Sequence, residues 1–302
     1  MSFNPDRYIK AKTASEVLSL LDEQGERAAI IAGSTEFHEL VTKEMVPEIK
    51  TLIDIEQLDL NYINSSENGI RMGATTRLCE IRDEAILQKQ PEYAAIREAA
   101  TILPVQVVER GTIGGNICAG LPILNFPTVI VALDAALVVI SSQGERIISA
   151  GEFFLEYFLT NLQPNELLTE IRIPRFPQGT ASVFLASKIL SLDYPTVSIA
   201  VRLQVNGDGT CKDVSMVLGS VSRTPVKTTR TEDKLRGKKL EDSVIDEVAK
   251  NIIKEIEPIS DLRASAEYRK EMSKVLAEDA LKKARDRITS LEATFDYQTG
   301  SE

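Results

Sequence analysis

Apolar residues recur along the chain at two spacings, and each spacing predicts one type of secondary structure. Residues 13–16, Thr-Ala-Ser-Glu, have the form of a helix capping box, and leucines and a valine follow them at helical intervals. Short apolar or alternating runs predict strands, and a helix is expected near residues 91–103. Residues 127–139 are expected to begin as helix and end as strand. The predicted strands cover residues 28–31, 51–55, 69–74 and 167–174.

The last third of the chain has a different pattern. Residues 197–205 and 211–220 flank Asn-Gly-Asp-Gly at 206–209, a strong turn signal that predicts a β-hairpin. Two amphipathic helices are expected after it, with apolar stripes from Leu240 to Ile256 and from Tyr268 to Leu281. These stripes are typical of core-facing surfaces. From about Thr289 the chain is polar, and we expect its end to be frayed.

The order of these elements predicts an α+β protein built from more than one lobe. A chain of 302 residues is too long for a single small core. Proline and glycine mark residues 175–180 as the main boundary. We therefore predict an α+β chain with lobes at residues 1–57, 58–176 and 177–288, followed by a polar tail at 289–302. In the third lobe we expect a small antiparallel sheet packed with helices.

Charge and composition narrow the class of protein. The formal net charge is −10, which argues against nucleic-acid binding through bulk electrostatics. There is no apolar run long enough to span a membrane and no readable signal peptide at the N-terminus. The three cysteines lie far apart in the sequence and fit a reducing compartment better than a disulfide framework. We therefore expect a cytoplasmic protein.

Residues for metal or hydrolytic chemistry are scarce. The chain has one histidine, His38, and no Cys-x-x-Cys or His-x-x-x-His pair. An iron–sulfur or zinc site made by this chain alone is therefore not expected. A Ser-His-Asp arrangement would have to use His38, which also fits a surface or packing histidine on a short predicted helix.

Two short loops of small residues stand out from the rest of the chain. Residues 32–35, Ala-Gly-Ser-Thr, follow the predicted strand 28–31, and residues 111–116, Gly-Thr-Ile-Gly-Gly-Asn, form a second glycine-rich turn. Such loops expose N–H groups and hydroxyls to which an anion can bind. Neither loop matches the dinucleotide fingerprint or the P-loop spacing. Each also fits an ordinary turn, but two such loops together can hold one pyrophosphate from two sides.

The two loops resemble the FAD-binding loops of the molybdenum hydroxylase flavoproteins, the medium-subunit type of carbon monoxide dehydrogenase and xanthine dehydrogenase. The resemblance continues in Gly-Ser-Val-Ser-Arg-Thr-Pro at 219–225 and Leu-Arg-Gly-Lys at 235–238. It ends with Asp-Leu-Arg-Ala-Ser-Ala-Glu-Tyr-Arg at 261–269, and overall it covers roughly residues 3–285. Several ordered motifs at consistent separations are far more specific than one glycine loop.

This resemblance implies a two-lobed FAD-binding domain, residues 1–57 and 58–176, followed by a C-terminal flavoprotein domain at 177–288. It implies noncovalent FAD and assigns no catalytic acid or base to this chain. The implied cofactor-binding residues are Ile31, Ala32, Gly33, Ser34, Thr35, Glu36, Gly111, Thr112, Gly114, Gly115, Asn116, Ala119, Asn125, Lys188 and Tyr194.

The chain departs from the family pattern at several of these positions. Many relatives have glycine at the position of Ser34, and the family usually has aspartate at that of Asn125. Only Lys188 remains of a basic run at the head of the third lobe, and it fits either the flavin or solvent. Tyr194 lies where relatives place a side chain against the flavin ring, but it also fits a turn before Pro195. Arg110 is either an added cofactor charge or a surface arginine.

By resemblance, the chain is the electron-transfer subunit of a molybdenum hydroxylase complex. A small partner with [2Fe–2S] clusters would supply electrons, a large partner would hold the molybdopterin cofactor, and NAD⁺ or a quinone would accept the electrons. We expect neither a nucleic-acid partner nor a membrane span. Two alternatives stay open. One is a self-sufficient flavin oxidoreductase, in which FAD is often attached to a histidine or cysteine near a loop; His38 and Cys118 lie near the loops, but their motif context does not fit. The other is a cofactor-free structural subunit of the same complex.

Overall fold

The computed structural model describes residues 3–46, 48–190 and 193–299, with side chains described as far as Ser290. Its α-helices are Ala14–Gln24 (α1), Thr35–Thr42 (α2), Leu78–Asp83 (α3), Ala85–Lys89 (α4), Ala94–Thr101 (α5), Val105–Arg110 (α6), Ile113–Cys118 (α7), Asn125–Ala132 (α8), Ala150–Phe153 (α9), Thr229–Leu235 (α10), Asp242–Ala249 (α11) and Ala266–Thr299 (α12). Short 3₁₀ turns lie at Gly25–Arg27, Pro91–Tyr93 and Ile252–Lys254.

The strands form four sheets. They are Arg7–Lys10 (β1), Ala28–Ile31 (β2), Thr51–Asp54 (β3), Ile63–Ser66 (β4), Gly69–Gly73 (β5), Ala136–Ser141 (β6), Gly144–Ser149 (β7), Phe154–Glu156 (β8), Leu159–Thr160 (β9), Leu167–Pro174 (β10), Thr180–Ser187 (β11), Val197–Val205 (β12), Cys211–Gly219 (β13) and Val226–Lys227 (β14). The sheet orders are β1-β3-β2, β4-β5-β10-β6-β7, β11-β12-β13-β14 and β8-β9. The predicted α+β class is confirmed.

Residue contacts divide the chain into two compact units, and neither unit is continuous in sequence. The first unit contains residues 1–81, 103–120 and 134–174. The second contains residues 82–102, 121–133 and 175–302. The chain therefore passes from one unit to the other several times.

The first unit contains a parallel three-stranded sheet and an antiparallel five-stranded sheet. Helix α1 begins as predicted, because the Thr13 side chain accepts from the Glu16 N–H at 3.2 Å. The Glu16 carboxylate accepts from the Lys12 N–H at 2.9 Å, which completes a local cap. Val17, Leu20 and Leu21 on α1 are buried against the parallel sheet. Each such side chain contributes about 1.5–3 kcal/mol when fully buried.

Strand β1 was not predicted, and its pattern explains why. Arg7–Lys10 is largely exposed and lies at the edge of the parallel sheet, paired with β3. An exposed edge strand has no continuous apolar face that a sequence pattern could reveal. Its Tyr8 hydroxyl donates to an Asp54 carboxylate oxygen at 2.5 Å, and this bond raises the pKa of Tyr8 to about 12.

The second unit is built on the predicted hairpin of β12 and β13, extended by β11 and β14 into an antiparallel sheet. Alternate residues of β12, from Val197 to Leu203, join one core with Leu276, Ala277 and Ala280 of α12. Residues of β11 and β12 that point the other way meet α5 and α8, respectively: the Ala95 N–H of α5 donates to Ser182 Oγ of β11 at 3.0 Å, for example. The sheet is therefore covered by helices on both faces.

The C-terminal helices differ from the prediction in extent. The stripe from Leu240 to Ile256 is divided between α11, which ends at Ala249, and the 3₁₀ turn at Ile252–Lys254. The break allows the Glu255 carboxylate to accept from the N–H groups of Arg230 and Thr231 at 2.9 and 2.8 Å. Helix α12 continues to Thr299, so the polar stretch from Thr289 to Thr299 is helical.

Candidate functional site: two small-residue loops

The first loop connects β2 to α2 in the first unit. Ser34 has a left-handed backbone (φ 58°), a conformation that favours glycine, and its Oγ donates to the Ala32 carbonyl at 3.1 Å. Within the described part of the chain, the N–H groups of Gly33, Ser34 and Thr35 have no acceptor. They lie at the N-terminal end of a helix, where the partial charge is positive. This loop can therefore donate hydrogen bonds to an anion.

The second loop is a turn only at Gly111 and Thr112, which separate α6 from α7, because Ile113–Asn116 form the start of α7. Its backbone donors are already used. The N–H groups of Ile113 and Gly114 donate to the carbonyls of Thr76 and Ala74 at 3.0 and 2.9 Å. The Gly115 N–H donates to Thr112 Oγ1 at 3.2 Å, which caps α7. The expectation that Gly114 and Gly115 offer bare N–H groups is therefore wrong, because the fold consumes these donors.

The two loops are in direct contact. A Cβ atom added at Gly33 would lie 2.0 Å from the Arg110 carbonyl oxygen and 2.9 Å from Gly111 Cα. A Cβ added at Gly111 would lie 3.5 Å from Thr35 Oγ1. Gly33 is buried and has no room for any side chain. The glycine at this position therefore allows the two loops to pack together.

The neighbouring glycines of the second loop have opposite surroundings. A Cβ at Gly114 would lie 2.5 Å from the Ala74 carbonyl oxygen, so this glycine is required by packing. Gly115 is exposed, and its Cβ would meet only Thr112 Oγ1, at 3.0 Å. Gly115 therefore forms an open surface at the start of α7, next to the contact between the loops.

The remaining predicted residues of the first unit lie around these loops. Ile31 ends β2 and its carbonyl accepts from the Ile55 N–H at 3.0 Å. Glu36 lies in the first turn of α2, and Ala119 caps the C-terminal end of α7. The Arg110 side chain is exposed. All predicted site residues from Ile31 to Ala119 thus lie in the first unit.

Asn125, Lys188 and Tyr194 belong to the second unit. The Asn125 side chain is fully buried, and its Nδ2 donates to the Ala99 carbonyl at 2.8 Å. Its Oδ1 has no hydrogen-bond partner in the described part of the chain. A buried acceptor without a donor is costly, by about 1–3 kcal/mol.

Lys188 and Tyr194 are both half-buried rather than solvent-facing. Lys188 Nζ donates to the Ile102 carbonyl at 2.6 Å, and burial lowers the pKa of this lysine while nearby Asp193 raises it. The Arg263 guanidinium lies over the Tyr194 ring at 5.3 Å, and Arg263 Nε donates to Asp193 at 3.1 Å. Sequence reasoning singled out no role for Arg263, although it lies in the quoted 261–269 motif.

The two residues considered for covalent attachment are poorly placed for it. His38 is exposed on α2. Burial raises the pKa of the Cys118 thiol to about 12, so almost none of it is thiolate, the nucleophilic form, near neutral pH. Among residues 3–46, 48–190 and 193–299, no group of three or more metal-binding side chains occurs. No described helix is long and apolar enough to cross a membrane.

Comparison with known proteins identifies the family of this chain. Residues 1–176 match the family described as the FAD binding domain in molybdopterin dehydrogenase. Residues 182–284 match the CO dehydrogenase flavoprotein C-terminal domain. The first match covers more than half of the chain. The protein therefore belongs to the FAD-binding flavoprotein family of the molybdenum hydroxylases.

Individual relatives match along nearly their full length. The glyceraldehyde dehydrogenase medium chain of Sulfolobus acidocaldarius is 30% identical over 276 residues, covering 91% of this chain and 96% of the relative. The carbon monoxide dehydrogenase medium chain of Hydrogenophaga pseudoflava is 30% identical over 280 residues, covering 92% and 96%.

A solved structure from the same bacterium is also similar. It is carbon monoxide dehydrogenase lacking the Mo-pyranopterin moiety of the molybdenum cofactor, and the matched chain superimposes with a TM-score of 0.89 at 30% identity. The match covers 95% of this chain and 99% of that one. The predictions of an oxidoreductase flavoprotein, of the medium-subunit type and with FAD as cofactor, are confirmed.

Proposed function

We propose that this chain binds one FAD noncovalently and acts as the electron-transfer subunit of a molybdenum hydroxylase complex. A small partner subunit with [2Fe–2S] clusters supplies the electrons, and a large partner subunit holds the molybdenum cofactor. NAD⁺ or a quinone is the external acceptor. When bound, FAD supplies redox chemistry that joins single-electron donors to a two-electron acceptor.

The observation that carries this proposal is the contact between the two loops. The N–H groups of Gly33, Ser34 and Thr35 have no acceptor in the described chain, and they lie in the loop that packs against Arg110 and Gly111. Hydrogen bonds to a charged oxygen contribute about 1.5–3 kcal/mol each, so these donors together can bind a pyrophosphate tightly. The exposed Gly115 lets a phosphate approach the second loop closely.

We assign Asn125 and Tyr194 to the cofactor site from the family resemblance and from the contacts that their side chains make. Asn125 Oδ1 is the buried acceptor that a polar cofactor group would satisfy. Tyr194 would lie against the flavin ring, and Arg263 and Asp193 would position it. Because the ring already stacks with Arg263, its orientation is restrained before a cofactor binds.

The cofactor is expected to be released on unfolding. The exposed His38 and the protonated Cys118 thiol do not form an activated attachment site. We place the complex in the cytoplasm as part of this proposal, because Cys79, Cys118 and Cys211 are all free thiols.

The decisive experiment is purification of the chain alone and after co-expression with its neighbouring genes. We expect the visible absorption of oxidised flavin in both samples and release of the yellow colour into solution on denaturation. Co-purification should bring a large and a small chain, with molybdenum and iron. A folded, colourless chain would contradict the proposal and favour the cofactor-free structural subunit. Colour that stays with the denatured polypeptide would favour covalent attachment.

The electron acceptor is tested by reoxidation of the reduced flavoprotein. We expect Tyr194→Ala to change the rate of reoxidation by NAD⁺ or a quinone more than it changes the FAD content. Tyr157→Ala, at an exposed tyrosine of the first unit, is the control. Unchanged reoxidation in Tyr194→Ala would make Tyr194 a turn residue.

A further inference from the structure

A cleft of about 600 Å³ in the second unit lies outside the proposed flavin site. Helices α4 and α5 form one side, and α12 forms the other. Its volume falls within the range of sites that hold small organic ligands, about 300–1,000 Å³. The lining residues are Leu87, Gln88, Lys89, Pro91, Ala94, Arg97, Glu98, Lys283, Asp286, Arg287 and Ser290.

One wall of the cleft is fixed by Glu98. Its Oε1 accepts from Lys283 Nζ at 2.8 Å and from Arg287 Nη2 at 2.7 Å. Its Oε2 accepts from the Phe184 N–H at 2.8 Å. Arg287 Nη1 also donates to the Ser182 carbonyl. Both Glu98 oxygens are therefore occupied, and this wall is held in place before any ligand binds.

Arg97 differs from Lys283 and Arg287 because its terminal donors are not used. Its Nε donates to the Arg82 carbonyl at 3.0 Å, which fixes the plane of the guanidinium. In the described part of the chain, its two terminal amino groups have no acceptor. A guanidinium held along one edge presents its other edge in the geometry that binds a phosphate with two parallel hydrogen bonds.

The charge of the cleft favours an anion. Lys89, Arg97, Lys283 and Arg287 face two acids, Glu98 and Asp286, and Asp286 accepts from Arg285 Nε at 2.8 Å. Beside this polar rim, Leu87, Pro91 and Ala94 supply an apolar floor. A ligand with a phosphate and a flat organic body would satisfy both parts.

We propose that this cleft binds a small organic phosphate of mononucleotide size, with Arg97 holding the phosphate. Leu87, Pro91 and Ala94 contact the organic body, and Lys89 adds charge at the rim. The proposal does not depend on the flavin function, because every residue in it lies in α4, α5, α12 or the turn at Pro91.

The test is calorimetric titration of the purified protein, saturated with FAD so that the flavin loops are blocked. The probes are AMP, inorganic phosphate and adenosine. We expect AMP to bind more tightly than either of the others. Arg97→Gln should weaken AMP binding at least tenfold, and Arg97→Lys should weaken it less, because it keeps the charge but loses the paired donors.

Arg230→Gln is the matched control, since Arg230 is an exposed arginine of the same unit that does not line the cleft. Its AMP affinity should equal that of the unmodified protein. The proposal is overturned if AMP gives no heat at millimolar concentration, or if a folded Arg97→Gln protein binds AMP normally. If only the flavin proposal were wrong, the purified protein would show no flavin absorption, but Arg97→Gln would still weaken AMP binding.

Discussion

The two small-residue loops look alike in sequence but use their backbones in opposite ways. In the loop at 32–35, the N–H groups of Gly33, Ser34 and Thr35 have no acceptor in the described chain. In the loop at 111–116, the N–H groups from Ile113 to Asn116 all donate within the protein. The first loop offers hydrogen bonds, whereas the second offers a closely packed surface with one open position, Gly115.

This difference shows that a glycine-rich segment has no single meaning. Main-chain atoms occupy the space that a side chain would need at Gly33 and Gly114. An added Cβ would lie 2.0 Å from the nearest main-chain atom at Gly33 and 2.5 Å from it at Gly114. Gly115 is exposed, and an added Cβ there would meet only Thr112 Oγ1, at 3.0 Å. The comparison therefore separates glycines that main-chain packing requires from a glycine at the surface, which our proposal assigns to cofactor binding.

Replacing Gly33 with alanine should have the largest effect. The added Cβ would collide with the Arg110 carbonyl, and overpacking against main chain costs about 3 kcal/mol of unfolding free energy. Urea denaturation measures this loss. Gly207→Ala is the control, since nothing lies within 4 Å of a Cβ at Gly207. A Gly33→Ala protein as stable as that control would show that the loops do not pack as described.

Replacing Gly115 with valine should affect cofactor binding more than folding, because an added Cβ would meet only Thr112 Oγ1, at 3.0 Å. The side chain would occupy the surface that a phosphate approaches, so we expect FAD affinity to fall by about a hundredfold, or about 2.7 kcal/mol. Flavin content and fluorescence titration with FAD measure the effect. Gly207→Val, at an open turn position, should retain FAD fully. Normal FAD content in a folded Gly115→Val protein would contradict the assignment of this loop.

Removing the Thr112 hydroxyl tests whether the second loop depends on its internal bonds. Thr112→Val keeps the side-chain shape but removes the acceptor for the Gly115 N–H, and loss of such a cap costs about 1 kcal/mol. Thermal unfolding of the variant measures it. If the melting temperature stays the same, the cap contributes nothing to stability.

Ser34→Gly should have the smallest effect, and it should be stabilising. Glycine adopts the left-handed backbone at this position without strain, which outweighs its greater freedom in the unfolded chain by about 0.5 kcal/mol. The gain is small because the Ser34 Oγ bond to the Ala32 carbonyl is also lost. A measurable decrease in unfolding free energy would show that this bond holds the loop.

Sequence patterns located both loops but did not distinguish them. Small residues after an apolar strand and a Gly-Gly pair are local signals. The first was read correctly as a turn, but the second was not, because Gly114 and Gly115 lie in helix α7. The acceptors that consume the second loop's donors, the carbonyls of Ala74 and Thr76, lie far earlier in the chain. No local pattern around residues 111–116 indicates that the turn after β5 lies beside them.

The difference between local signals and long-range contacts also explains which other predictions from the sequence were right and which were wrong. The capping box at Thr13 and the turn at 206–209 are local, and α1 and the β12–β13 hairpin formed where predicted. The break after Ala249 was missed, because the apolar stripe continues through it and the bonds from Glu255 to Arg230 and Thr231 are tertiary. Asn125 was likewise singled out only through the family resemblance, because nothing in the local sequence indicates its buried amide.

The strand order of the five-stranded sheet also determines when that sheet can be completed during synthesis. Strand β10 lies between β5 and β6, yet it follows both in the sequence. During synthesis, the β4–β5 and β6–β7 hairpins therefore emerge from the ribosome before the strand that joins them. The segment 111–116 hydrogen-bonds to residues directly after β5, so it forms beside a sheet that still lacks β10. A nascent chain released before Pro174 would contain both loops but not the sheet that supports them.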